Sequence, residues 1–143
     1  MSENDRYCCL LSYEMSIREN VWFSQKFDCI ERFEDLGNQG STCIIVNHAL
    51  LFMVRGLHQM CKQPVAYCLS CGSTKAEMLV QFLNEVLGAC QNVGLHVVSA
   101  VCDMGTNSVK AMKLLRSTRS EPFFQFKNQA STTIYDPPHL LTH

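Results

Sequence analysis

Charged side chains are scarce in this sequence. Only 17% of the residues are Asp, Glu, Lys or Arg, and 12 basic against 13 acidic groups leave a net charge of −1. A protein that grips nucleic acid mainly through phosphates needs a clustered basic excess, because each contact neutralises a phosphate and releases counterions. No such cluster occurs, so strong DNA binding by this segment alone is not expected. Long apolar runs are lacking too: no stretch reaches the ~20 residues of a membrane-spanning helix. The opening "MSENDRYCC" has neither a basic start nor an apolar segment, so no secretory signal is expected. Internal repeats, low-complexity tracts and linkers are absent as well.

What the chain does have is 47% hydrophobic residues over 143 positions, enough for one domain, 1–143, with a real core. Its nine cysteines form an odd count. Cys9, Cys68, Cys90 and Cys102 lie inside apolar runs, where a thiol packs as a small hydrophobe. Reduced core cysteines of an intracellular protein are the expectation.

Periodicity supplies the elements. "YCCLLSYEMSI" reads as a first strand and "FDCIERFEDLG" as an irregular hairpin or excursion. "NQGST" is a turn-rich loop. "HALLFMVRGL" is a second strand, with a short helix as the alternative, and "PVAYCLS" is a third, with Pro64 tolerated at its beginning. Leu79, Phe82, Leu83, Val86, Leu87 and Cys90 then recur every three or four residues and make one helix face. Thr74 and Glu77 have capping-box spacing at its start, and Gly94 is a plausible stop. "LHVVSAVCD" is a fourth strand, apolar on both faces, "NSVKAMKLLR" a shorter helix, and "STTIYDPPHLL" a fifth strand ended by two prolines. Short turns make the first three strands antiparallel, and helical crossovers make the last two parallel. The fold class is therefore α/β, in the order of an RNase H-like mixed sheet, an order that other α/β folds share.

In that topology the first and fourth strands lie side by side, and ligands collect at the carboxyl ends of parallel strands. Asp103 ends the fourth strand. With a second acid from the first strand it would hold divalent metal, and two ions ~4 Å apart can drive phosphodiester transfer. Equally, Asp103 can cap the following turn or the helix near Asn107. Both readings stay open on the residues alone.

From "KQPVAYCLSCGSTK" through "VVSAVCDMGTNSVKAMKLL" to "IYDPPHLL", and upstream through "FEDLG" and "NHALLFMVRGL", the sequence resembles the RNase H-like catalytic core of P-element-type transposases, including THAP-finger relatives. The resemblance implies DNA cutting and joining by a metal-dependent acid triad, with Mg²⁺ or Mn²⁺ as cofactor, DNA as partner and a nuclear location. Some members also require GTP, bound by an inserted domain. It carries Asp103 over as a catalytic, metal-holding acid and Asp136 of "YDPPH" as a second candidate catalytic residue.

Two departures set the functional expectation. Family members place an Asp directly before Glu-Met-Ser on the first strand, and Tyr13 stands there in "SYEMS". A phenol is not a ligand for a hard divalent ion, and strand alternation turns the neighbouring Glu14 away from the position facing Asp103. The resemblance also implies a further helix, an inserted domain and a third acid beyond "LLTH", so the domain reads as truncated before its final helix. The leading expectation is a catalytically inactive transposase domain that acts by interaction, through self-association or with a full-length transposase. The alternative is a partial active site completed by Glu14 or by an acid from another chain. A zinc-binding module around Cys68 and Cys71 is a third reading, less favoured than core packing because no second ligand pair accompanies them. His139, next to the prolines, reads as a structural histidine near the strand end.

Overall fold

A computed structural model describes residues 3–18, 22–24, 29–31, 33–36, 38 and 40–136. In it the first apolar run becomes β1 (Tyr7–Ser16), and its alternation is plain: Cys8, Leu10 and Ser12 are buried while Cys9, Leu11 and Tyr13 are only partly so. Two short strands, β2 (Trp22–Ser24) and β3 (Cys29–Glu31), pair with each other. β4 (Phe33–Asp35), β5 (Ser41–Ile45), β6 (His48–Gly56) and β7 (Lys62–Ser70) follow. Helix α1 (Ala76–Asn92), β8 (His96–Cys102), α2 (Thr106–Leu114), β9 (Phe123–Phe126) and β10 (Gln129–Tyr135) complete the order.

Eight strands form one mixed sheet in the order β5-β4-β7-β6-β1-β8-β10-β9. β1, β6 and β7 pair antiparallel, whereas β1 pairs parallel with β8, and β8 parallel with β10. This is the expected RNase H-like arrangement with additional edge strands. Both crossovers run in the same direction across the sheet, so right-handed connections put α1 and α2 on the same face. One buried cluster joins Leu10, Phe52, Cys68, Leu83, Leu87, Cys102 and Met112 from strands and helices alike. Among the described residues no helix is long and apolar enough to cross a membrane.

Several local expectations are corrected. The five strands expected are joined by others at the edges: Ser41 and Thr42 of the supposed "NQGST" loop already belong to β5, and β9 arises between the second helix and the fifth expected strand, where no element was assigned. Pro64 lies inside β7, where pairing jumps from Phe52↔Ala66 to Met53↔Pro64; a bulge accommodates the residue that cannot donate. The capping box does not form. Helix α1 begins at Ala76 with no side-chain cap from Lys75, and Glu77 instead meets Lys110 at 2.9 Å, which holds its carboxyl below the usual range. The other end is as expected: Gly94 has φ +80, and the Leu95 N–H reaches back to the Cys90 carbonyl at 2.9 Å.

The β6–β7 hairpin needs its glycine for space. The Gly56 N–H donates to the Cys61 carbonyl at 2.9 Å, and a Cβ on Gly56 would stand 2.8 Å from the Gln59 carbonyl oxygen. That oxygen is backbone and cannot swing aside. Gly56→Ala should therefore lower stability by about 1–3 kcal/mol, read from the urea midpoint. An unchanged midpoint would mean that the hairpin tip is not held in this turn.

Candidate functional site

The carboxyl ends of β1, β8 and β10 converge. Ser12 is the last β1 residue paired with β8, opposite Cys102, and Tyr135 of β10 pairs with Cys102 from the other side. The Asp136 N–H then donates to the Cys102 carbonyl at 2.9 Å. Tyr13, Glu14, Asp103 and Asp136 thus follow immediately on a common row of strand ends, a location produced by parallel pairing alone.

The row splits into two sides. On the side of the helices, Ser12, Glu14, Leu50, Thr74, Leu79, Asp103, Asn107 and Ser108 line a small concavity of ≈10 Å³. Asp103 Oδ1 accepts the Ser108 hydroxyl at 2.6 Å and the Gly105 N–H at 3.1 Å, so the carboxylate organises the turn into α2. Glu14 Oε1 accepts the Thr74 N–H at 2.6 Å and Oε2 the Ser73 hydroxyl at 2.7 Å, just ahead of α1. On the opposite side, Tyr13 and Asp136 share a pocket of ≈550 Å³ with Leu11, Arg55, His58 and Val101. The Tyr13 hydroxyl donates to Asp136 Oδ2 at 3.3 Å. Burial first, then the Asp136 carboxylate, push the phenol above its ordinary value of 10.0, against a downward pull from Arg55. The phenol is therefore a protonated donor at neutral pH.

This corrects the expected geometry at one point. Alternation does set Tyr13 and Glu14 on opposite sides, but Glu14, not Tyr13, shares a concavity with Asp103. β8 stops at Cys102, so Asp103 is already outside the alternating strand, and its carboxylate follows the donors at the start of α2. Asp103 does cap the turn into α2, one of the two readings its residues left open, whereas the partners Ser73 and Ser108 and the Asn107–Ser73 contact were not foreseen. Asn107 Nδ2 donates to Ser73 Oγ at 3.2 Å, across 34 residues of sequence that carry no local sign of the contact.

A pair of Mg²⁺ or Mn²⁺ ions, as the resemblance implies, calls for several carboxylates directed at one point. The described residues do not fit that requirement. Asp103 and Asp136 line different concavities, and no three His, Cys, Asp or Glu side chains come together as a metal group. Cys68 is buried in the core while Cys71, beyond the end of β7, is exposed. His139 lies outside the described residues.

Comparison with known proteins adds the family. Residues 1–116 match the model of the TNP-like RNase H N-terminal domain. No curated protein sequence matches the chain. Among solved structures, the chain is similar to the Drosophila P element transposase strand transfer complex, with a TM-score of 0.75 at 23% identity. That alignment covers 96% of this chain but only 28% of the transposase, so the likeness concerns the fold of one portion. With a match over most of its length, and a mixed sheet whose fold is similar to that of a portion of the P element transposase, the chain belongs to the TNP-like RNase H N-terminal domain family.

Proposed function

We propose that this chain is a transposase RNase H-like domain that does not cut or join DNA by itself and acts through association, with a full-length transposase or with its own copies on DNA. The observation that carries this reading is the division of acids at the strand ends. Asp136 accepts from Tyr13 on one side of the sheet, while Asp103 accepts from the α2 entry on the other. Two-metal phosphodiester transfer needs several acids around a single reacting phosphate, and Asp136, on the other side of the sheet, cannot join Glu14 and Asp103 there. DNA as a partner rests on analogy with the strand transfer complex, and a net charge of −1 makes it dependent on other chains. A nuclear location goes with that reading.

The test is incubation of the purified chain with duplex DNA and Mg²⁺ or Mn²⁺, beside Asp103→Ala and Tyr13→Asp variants. No cleavage or joining above background is expected from any of them. Tyr13→Asp puts its carboxylate beside Asp136, not beside Asp103, and so restores nothing. Metal-dependent cleavage by the wild-type chain that disappears in Asp103→Ala would overturn the reading.

A second reading is supported by the shared concavity of Glu14 and Asp103: the chain supplies two acids to a site that another chain completes. It requires that cleavage appear on adding a full-length transposase that lacks the two acids Glu14 and Asp103 would replace but keeps its remaining one, and that Asp103→Ala abolish it.

A further inference from the structure

The acids of the helix-side concavity are engaged by donors from the segments that lead into the two helices. Ser73 and Thr74, which hold Glu14, lie just before the N-cap Lys75 of α1, and Gly105 and Ser108, which hold Asp103, bracket the first residues of α2. Asn107 closes the gap by donating to Ser73. Three separate pieces of chain are thereby tied in series: the end of β1, the entry of α1, and the segment that leads from the end of β8 into α2. Each carboxylate sits at the positive end of a helix, of 17 residues for α1 and nine for α2. Backbone N–H groups just ahead of the two helices, together with hydroxyls, compensate the two charges, the task that a cation performs in a metal site.

Size points the same way. Mg²⁺ sheds its waters reluctantly and usually keeps several of them. A concavity of ≈10 Å³ takes about one water molecule. The side chain of Thr74 lines it, only 5% exposed, and its Oγ1 is a buried hydroxyl without a hydrogen-bond partner. A buried orphan hydroxyl in a polar, water-sized space is the feature that a structural water satisfies.

We propose that the Glu14–Ser73–Asn107 and Ser108–Asp103 contacts form a metal-independent clasp, closed by one water on Thr74, which stands where the family's divalent metal chemistry would be expected. The proposal deepens the non-catalytic reading and rests on it for the fate of Asp103. The two are tested by different measurements, stability here and DNA cleavage above.

The discriminating quantity is the sign of the change when one acid is neutralised. In a metal site without its metal, clustered carboxylates repel, so Glu14→Gln or Asp103→Asn raises Tm in EDTA, and Mg²⁺ raises the wild-type Tm through its binding. In a clasp both substitutions weaken charge-assisted hydrogen bonds and lower Tm, by about 4–8 °C each, and Mg²⁺ does nothing. Thermal melts of wild type, Glu14→Gln and Asp103→Asn, in EDTA and in millimolar Mg²⁺, read both. Ser108→Ala removes a neutral donor and provides the milder variant should either acid substitution prevent folding; its Tm is also expected to fall. A Tm that rises or stays level on these substitutions, or a wild-type Tm raised by Mg²⁺, would overturn the proposal. Such a result would leave the cleavage assay free to decide the non-catalytic reading separately.

Discussion

Phe52→Ala is expected to lower the unfolding free energy by about 3–5 kcal/mol, a large part of the stability of an ordinary domain. Phe52 sits in the middle of β6 and is 1% exposed, among the largest fully buried side chains of the chain. β1 pairs with this strand on one side and β7 on the other. Neighbours pinned by two ladders cannot collapse into the space a lost ring leaves, so both the transfer term and the cavity term apply. Met53, next along the strand, is only partly buried and faces the other way. Urea unfolding of Phe52→Ala and Met53→Ala should give a much lower midpoint for the first with similar slopes. Equal losses would show that the helices do not cover the face assigned to them.

A second large effect is expected with alkali. Burial pushes the Cys102 thiol to about 12, with Asp103 contributing, and pushes Cys8 to about 11, with Cys90 and Cys9 adding to burial. The ordinary value for both is 9.0. A thiol whose folded pKa is raised favours the fold fully below its unfolded pKa, and that contribution drains away as pH climbs from the unfolded towards the folded value. Stability should thus be level up to about pH 8 and fall between pH 9 and 11, by about 2 kcal/mol for each of the two thiols. Both residues are 1% exposed, so solvent does not screen the effect. Urea midpoints measured across this range test it, with the Cys8→Ala, Cys102→Ala double variant as reference. The double variant should begin less stable and lose less. A wild-type curve that stays flat to pH 11 would mean that water reaches these thiols.

The elements recognisable from the sequence are those whose pattern is local. β1, β6, β8 and α1 each carry a long apolar periodicity, and Gly94 stops α1 through a backbone angle that glycine alone adopts easily. The edge strands are different. β4 makes a single pair with β7, opposite Leu69, and β9 is four residues long, so each is held by its neighbour more than by its own composition. For the same reason the capping box misled. Thr74 and Glu77 have the right spacing, but the Thr74 N–H belongs to Glu14, a residue 60 positions earlier.

Composition and periodicity on their own pointed to an α/β core; β1 beside β8, with Asp103 at the carboxyl edge of a parallel pair, followed only once the element order was taken as an RNase H-like sheet. Alternation also dictated that Tyr13 and Glu14 would face opposite ways, since consecutive side chains of a strand must. Which of the two would meet Asp103 was settled in three dimensions. Alternation binds a residue only while its strand is paired, and Asp103 lies one position past the last pair, where the nearest hydrogen-bond donors decide its direction. Those donors belong to a helix entry, and they draw the carboxylate to the side of Glu14 and away from Tyr13 and Asp136.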